Sequence, residues 1–428
     1  MVNVGVLGFG TVGTGVIRFL QSGAAKQFGI RVTEVAVSDL SKPRGVEFNR
    51  LTSDPWKIVQ DPDVDIVVEL IGGVEPAHDL IRTAIESGKS VVTANKAVLS
   101  RNLKSLFELA RRNSVDLAFE AAVAGSIPII QVLRGYRGQR IRHLTGIMNG
   151  TCNYILSRMG EGLSFEKALK QAQDKGFAEA DHILDTGGFD ARDKLAIVAS
   201  LAYDTVVDPE SIYCEGIIGV TPIDLDFADK YGVEEGEPGY TVKSLASARM
   251  TEEGLALNVY PALISRRHPL ASVKDEVNAI YIEGELCGPQ LYQGRGAGRD
   301  ATASSVISDL LRLARNVSEG IIDDLPTLSS DVRFADSEEL QRRGYVRMNL
   351  AHLPGSIAEA SRILGSHGFN IEDSIQRRRF RTEINGETFI PDIVTGEPLP
   401  YRTVRTALAD LKDSDRIKGD PFYLRIEA

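Results

Sequence analysis

Between Gly176 and Ile197 the chain reads GFAEADHILDTGGFDARDKLAI, with Glu179, Asp181, Asp185 and Asp190 set ahead of Lys194. Asp190 and Lys194 are four residues apart, so a helix would carry both on one face. A carboxylate beside a lysine can hold or move a proton, and clustered carboxylates can receive a cationic ligand. The same run also reads as a solvated helix face, and what precedes it decides between the two. A second chemical signal lies at the start of the chain, where VNVGVLGFGTVGTGVIRFL places Gly8, Gly10 and Gly13 in G-x-G-x-x-G spacing. The first glycine permits a tight turn, the second lets backbone approach a pyrophosphate, and the third permits close helix–strand contact. Thr11 and Val12 would then open a helix whose N-terminus faces the phosphates.

The flanking elements fit that reading. Val2, Val4 and Val6 predict a buried strand, and Val12, Val16, Ile17 and Leu20 have helical spacing. The next strand, RVTEVAVSDL, brings Asp39 to a place where a carboxylate accepts hydrogen bonds from an adenosine ribose. Lys42 and Arg44 stand close by and could instead hold a 2′-phosphate, so NAD and NADP both remain open. VDIVVELIGG reads as a central parallel strand, EPAHDLIRTAIESG as a helix with a glycine stop, and VDLAFEAAV as a further strand. KSVVTANKAVL supplies a strand ending in Thr93, Asn95 and Lys96. Right-handed crossovers put the C-terminal ends of such strands on the cofactor side, which turns Lys96 toward the nicotinamide. The expected fold is α/β, with a Rossmann-type dinucleotide-binding domain over residues 1–140.

The character of the chain then changes. GIMNGTCNYILSRM joins a glycine turn to Asn149 and Thr151, helical patterns follow near 165–172 and 191–202, and ALNVYPALI and VNAIYIEGEL alternate as strands do. These predict an α+β substrate-binding and catalytic domain over 141–300. GRGAGRDATASSVISDLLRLAR, with Gly296 at the cofactor, opens a segment over 301–335 that holds a helix returning to the nucleotide domain and then a linker. The acidic run from Asp323 to Asp336 predicts a separable boundary.

Composition narrows the function classes. Over 428 residues the formal charge is −10, which speaks against a general nucleic-acid binder. No apolar run is long enough to cross a membrane, and MVNVGVLGFG enters a strand directly rather than reading as a secretory leader. Cys152, Cys214 and Cys287 are widely separated, form no metal signature and predict reduced thiols in a cytoplasmic protein.

Taken together, GFGTVG, VVTANKA, EAAVAGSIPII, GIMNGTCNYIL, the acidic stretch, YCEGI and QGRGAG resemble the homoserine dehydrogenase family over nearly all of residues 1–335. The resemblance implies NAD(P)-linked interconversion of L-homoserine and L-aspartate 4-semialdehyde, in a homodimer or homotetramer. It implies that Lys194 is the catalytic lysine, Lys96 a second lysine at the reacting oxygen, and Asp190 their neighbour. It also implies that Glu179, Asp185, Asn149 and Thr151 bind substrate, and that Glu120, Val123, Gly125 and Ile127 could hold a sodium ion. Three positions depart from the family pattern: His182 stands where proline is usual, Thr186 where an aliphatic residue is usual, and Ala301 where proline is common. Two other readings remain: a non-catalytic amino-acid sensor that keeps the nucleotide fold, and a dehydrogenase of another amino or hydroxy acid.

Residues 340–428 resemble an ACT regulatory domain, a ferredoxin-like β-α-β-β-α-β module, with HLPGS in the first turn and GFNIEDSIQ entering the second strand. That resemblance implies a small amino-acid effector. PDIVTGEPL reads as an irregular third strand with no histidine after Thr395. QRRRFR predicts a short exposed strand with cross-strand ion pairs.

Overall fold

The computed structural model describes residues 1–234 and 236–427. The chain divides into two compact units, one of residues 1–150, 190–212 and 277–332, the other of 151–189, 213–276 and 333–428. Of the expected boundaries at 140, 300 and 335, the last lies beside a unit limit at 332/333 and the other two do not match one, because the chain passes between the units several times.

The first unit holds a parallel sheet of β1 (Val2–Leu7), β2 (Ile30–Ala36), β3 (Leu51–Thr52), β4 (Ile66–Glu69), β5 (Ser90–Thr93) and β6 (Leu117–Ala118). Their order is β3-β2-β1-β4-β5-β6, the doubly wound arrangement of a Rossmann domain. Val4, Val6, Ile66 and Val68 are fully buried, as strands covered on both faces require. The strand expected over VDLAFEAAV is only β6, because Glu120–Ala122 turns into a 3-10 helix. Helix α1 (Thr11–Leu20) buries Val16, Ile17 and Leu20 against Val306, Leu310 and Leu313 of the Arg299–Glu319 helix. A side-chain carbon on Gly15 would lie 2.7 Å from Ala303 Cβ, so that helix contact depends on the glycine. The strands Ile141–Ile147, Val277–Gly284 and Gly288–Arg295 form an antiparallel set, with Ala279 opposite Ile147 and Val277 opposite Arg295.

The acidic run at 323–332 is not a loose linker. Arg134 pairs with Asp323 at 2.8 Å, Arg137 with Asp324 at 2.6 Å, and the Asp323 amide donates to Asp116 at 2.7 Å. Arg312 also pairs with Asp323 from the preceding helix, whereas Arg134 and Arg137 lie about 190 residues earlier in the chain, beyond the range of a local composition signal.

In the second unit the strands Tyr240–Met250 and Leu255–Ser265 are antiparallel neighbours. Leu255–Ser265 then pairs in parallel with the last strand, Phe422–Glu427, with Ala262 opposite Arg425. Beyond it come Gln341–Ala351, Glu387–Pro400 and Ile371–Gln376, all antiparallel. One face of these C-terminal strands, with Val346, Met348, Val394 and Tyr423, packs on the Ser356–Ser366 and Tyr401–Lys412 helices. The other face, with Tyr345, Ile393, Leu424 and Ile426, lies in one core with Ile155, Ile217 and Phe227. The C-terminal strands therefore share sheet and core with the rest of the second unit, while a unit limit falls at 332/333, within the acidic run. Glu387–Pro400 is one continuous strand rather than an irregular one. QRRRFR is not a strand: Arg378–Phe380 forms a 3-10 turn, and Arg377 and Arg379 pair with Asp226 on the Pro222–Lys230 helix.

Candidate active site

The reactive groups of the first unit reach one place from three elements. Lys96 is the first residue of the Lys96–Arg112 helix. Asp190 and Lys194 share a face of the Phe189–Ala202 helix, and Met148 and Asn149 follow the Ile141–Ile147 strand. Lys194 Nζ donates to Asp190 Oδ2 at 2.7 Å and to the Met148 carbonyl at 2.9 Å. Lys96 Nζ pairs with the other oxygen, Asp190 Oδ1. Asn149 Nδ2 donates to Oδ2 at 2.9 Å. One buried carboxylate thus holds two lysines. Burial alone would raise the Asp190 carboxyl, but the Lys194 and Lys96 ammonium groups overcome it and hold the group well below the usual carboxylate range. Asp190 therefore stays an anion at neutral pH and orients amines. The Lys194 side chain is 12% exposed and that of Lys96 39%, so Lys194 is the more enclosed of the two.

The start of the Lys96 helix is fixed by a chain of hydrogen bonds. Asn95 Oδ1 accepts from the Val98 amide at 3.2 Å, capping the helix, and Asn95 Nδ2 donates to the Gly73 carbonyl at 2.7 Å. Thr93 Oγ1 accepts from the Asn95 amide at 3.0 Å and donates to the fully buried Glu69 at 2.5 Å. Glu69 in turn accepts from the Ile71 amide at 2.7 Å. Thr93 and Asn95 thereby aim Lys96 from the ends of β4 and β5.

The glycine turn fits a pyrophosphate. Gly8 has φ +104°, and a side-chain carbon there would lie 2.6 Å from the Leu70 carbonyl oxygen. One on Gly13 would lie 2.4 Å from the Gly8 carbonyl oxygen, whereas Gly10, at the N-terminus of α1, has open space above it. Thr11 is exposed and Val12 half-buried in the first turn of α1. A side-chain carbon on Gly296 would come within 2.1 Å of the Asn278 amide group. Asn278 Nδ2 donates at 3.1 Å to the same Met148 carbonyl that Lys194 uses, while its buried Oδ1 finds no donor among the described residues.

At the expected ribose position, Asp39 is already engaged. Its Oδ1 accepts from the Ser41 amide at 2.8 Å and from the Ser41 hydroxyl at 2.7 Å. The Ser41 hydroxyl and amide bonds hold the Asp39 carboxyl below its usual range. Arg44 donates to the Asp39 carbonyl at 2.6 Å, and its guanidinium lies 5.5 Å from the Phe9 ring centroid beside the glycine turn.

Glu179, Asp185 and Thr151 belong to the second unit. Glu179 is exposed, and its carbonyl accepts from Gln173 at 3.2 Å. Asp185 is half-buried in the Ile183–Thr186 turn, where its carbonyl accepts from the Cys152 thiol at 3.2 Å. Thr151 Oγ1 donates to the Phe177 carbonyl at 2.7 Å, so this hydroxyl braces the loop leading to Glu179. His182 and Thr186, two separate departures in the sequence, are partners: His182 Nδ1 lies 2.9 Å from Thr186 Oγ1. Cys152 is buried, Cys214 and Cys287 are half-buried, and all three are thiols.

In the expected cation loop, the two Glu120 oxygens accept from the Ile130 and Gln131 amides at 2.7 and 3.0 Å. The Gly125 carbonyl accepts from Ser305 at 2.6 Å, the Ile127 carbonyl from the Ile129 amide at 2.8 Å, and Val123 ends the Glu120–Ala122 turn. Burial, with help from Asp309, pushes the Glu120 carboxyl up to about 7. Among the described residues, no helix is long and apolar enough to cross a membrane.

Sequence reasoning missed the Met148 carbonyl, Asn278 and Glu69. The only local signal was a polar Asn278 on the inward side of an alternating strand.

Known proteins match this arrangement along the chain. A family model described as homoserine dehydrogenase, NAD binding domain, matches residues 8–120, and one described as homoserine dehydrogenase matches 128–311. Homoserine dehydrogenase of Synechocystis sp. is 41% identical, and the match covers 99% of each chain. The solved homoserine dehydrogenase of Thiobacillus denitrificans is 36% identical with a TM-score of 0.89, over 100% of this chain and 98% of that one. A hyperthermophilic archaeal homoserine dehydrogenase solved in complex with NADPH is 26% identical with a TM-score of 0.60, over 74% of this chain and 98% of that one. On full-length similarity of sequence and fold, the chain belongs to the homoserine dehydrogenase family.

Proposed function

We propose that Lys194 handles the proton on the substrate's terminal oxygen, with Lys96 as a second donor there and Asp190 as the anion holding both. The observation that carries this is the buried Asp190 carboxylate, bonded to a different lysine through each oxygen. The reaction is the NAD(P)-dependent interconversion of L-homoserine and L-aspartate 4-semialdehyde, a step of threonine, isoleucine and methionine biosynthesis. A nicotinamide nucleotide held at the Gly8–Gly13 turn would supply the hydride chemistry at C4 of homoserine. In the oxidative direction a neutral Lys194 amine accepts the hydroxyl proton as hydride leaves the same carbon. In the reductive direction the Lys194 ammonium gives that proton to the carbonyl oxygen. Lys96 as an ammonium lowers the energy of negative charge on the oxygen in either direction.

Glu179 and Asp185 receive the substrate ammonium, while Asn149 and Thr151 keep Asp190 and the Glu179 loop in place. Gly8, Gly10, Gly13 and the first turn of α1 hold the pyrophosphate. NADP is favoured over NAD, because Ser41 already occupies the Asp39 carboxylate and Arg44 brings a guanidinium to the same rim. Sodium at Glu120, Val123, Gly125 and Ile127 is supported by hard oxygen donors alone, and internal N–H and O–H groups already use part of their capacity. The C-terminal order, β-α-β-β-α-β with a short Thr382–Ile384 strand added before Glu387–Pro400, supports an ACT-like module, with L-threonine as its candidate effector. The reading includes a homodimer or homotetramer and a cytoplasmic setting in which the thiols stay reduced.

The test is an initial-rate panel of NADP+ and NAD+ against L-homoserine and related amino and hydroxy alcohols, for wild type and Glu179→Gln. Turnover should be confined to homoserine, and Glu179→Gln should raise its KM about tenfold while leaving the nucleotide KM unchanged, as loss of one charge-assisted hydrogen bond would. An unchanged homoserine KM would remove Glu179 from the ammonium site.

A further inference from the structure

We propose that Arg425, on the last strand, is a positioning residue for homoserine binding, acting through Glu215 on the turn that carries Asp185. The inference rests on the reading of that turn as part of the substrate site.

Arg425 is almost completely buried, in a setting that apolar packing alone could have filled. Its Nη1 donates to Glu215 Oε2 at 2.8 Å, and the same oxygen accepts from the Tyr213 hydroxyl at 2.9 Å. The guanidinium lies 4.4 Å from the Tyr260 ring centroid, 4.5 Å from Tyr401, 4.8 Å from Tyr213 and 5.6 Å from Tyr423. Four segments thus close on one cation, and the only carboxylate paired with it among the described residues is Glu215.

Glu215 belongs to a strap, 213–217, caught between this cage and the turn at 182–188. On one side the strap is tied to the sheet, with the Glu215 amide donating to the Val259 carbonyl at 2.8 Å. On the other side the Ile217 amide donates to the Thr186 carbonyl at 2.8 Å. A side-chain carbon on Gly216 would come within 2.1 Å of the Thr186 carbonyl oxygen and 2.6 Å of Gly187 Cα. One on Gly188 would lie 3.1 Å from Cys214 Sγ. No slack separates strap from turn, so a shift of Glu215 must move Thr186 and Gly187, which follow Asp185 directly. The final strand thereby sets the geometry of a turn about 240 residues earlier, although it offers no group to the substrate.

The experiment compares Arg425→Met, Arg425→Lys, Glu215→Gln and Asp185→Asn with wild type in the full-length protein. It reads homoserine KM, NADP+ KM, kcat and Tm. Arg425→Met and Glu215→Gln should each raise homoserine KM roughly tenfold with NADP+ KM within about twofold, and Arg425→Lys should recover part of the loss. A merely structural cage would lower Tm and the active fraction but leave homoserine KM within about twofold, and that result overturns the proposal. If Arg425→Met does not fold, the near-isosteric Glu215→Gln decides by the same criterion. A raised KM in Asp185→Asn with unchanged KM in the Arg425 and Glu215 variants overturns the positioning role alone. An unchanged KM in Asp185→Asn removes Asp185 from the substrate site. A raised KM in the other variants would then show an effect that does not pass through Asp185, which overturns the proposed route as well.

Discussion

Two carboxylates, the buried Asp190 and the half-buried Glu215, each serve cations, but in opposite ways. Asp190 is shared between two lysine amines on flexible stems, one enclosed and one reaching solvent. Glu215 meets a single planar guanidinium whose faces are covered by tyrosine rings. At Asp190 positive donors outnumber the negative charge, which leaves N–H capacity for an incoming oxygen. At Glu215 charge and donors are matched, which suits a fixed support. Lysine can gain and lose a proton near working pH when its surroundings help, whereas arginine cannot. The comparison separates a place where a proton can move from one where nothing should move.

The largest expected effect follows from the shared sheet of the second unit. Deleting residues 344–428 removes Arg425 and the Tyr345, Ile393, Leu424 and Ile426 face of the core, and exposes the edge of Leu255–Ser265. Such a truncation should yield no soluble folded protein, measured by size-exclusion chromatography and circular dichroism. A stable, active truncated enzyme would show that the cage is dispensable and dissolve the comparison.

Next comes Lys194→Ala, which should lower kcat by roughly 10²–10⁴-fold while nucleotide binding stays intact. Stopped-flow rates and a fluorescence titration with NADPH would decide it. A variant within about threefold of wild type would put Lys194 on the same footing as a structural cation.

The smallest effect concerns another buried carboxylate, Asp392, in the C-terminal strands. Burial pushes it up from 3.8 to about 6, against a weak opposing bond from Ser374. Its folded-state value lies above the unfolded one, so its contribution to stability is full below about 4 and is lost as pH rises through about 6. Asp392→Asn should therefore flatten the fall in stability between pH 4 and 7, by on the order of 1–3 kcal/mol. Urea unfolding at pH 4.5 and 7.5 checks it, and parallel pH profiles for variant and wild type would refute it.

What the sequence made legible was local. The strand, glycine turn and helix at 2–20 are contiguous, and Asp190 and Lys194 are one helical turn apart, so spacing alone placed them. Lys96 was legible because it stands three residues past a strand end, after the capping Asn95. The Met148 carbonyl and Asn278 were not, because their bonds span 46 and 130 residues and backbone oxygens carry no residue signature. The start of the run at 323–336 was misread in part for the same reason, since acidic composition alone resembles a flexible linker until the partners of Asp323 and Asp324 are known, and two of those three arginines are distant. The Arg425 cage drew on four tyrosines from separate elements, each unremarkable in its own segment.

Chemical rescue of Lys194→Ala by small primary amines tests the central claim most directly. If Lys194 transfers the proton, added amines should restore homoserine oxidation in a saturable way, with rates that rise with amine basicity and leave NADP+ KM unchanged. Absence of rescue by any amine small enough to enter, in a folded variant that still binds NADPH, would contradict the assignment and leave Lys194 as a support for Asp190.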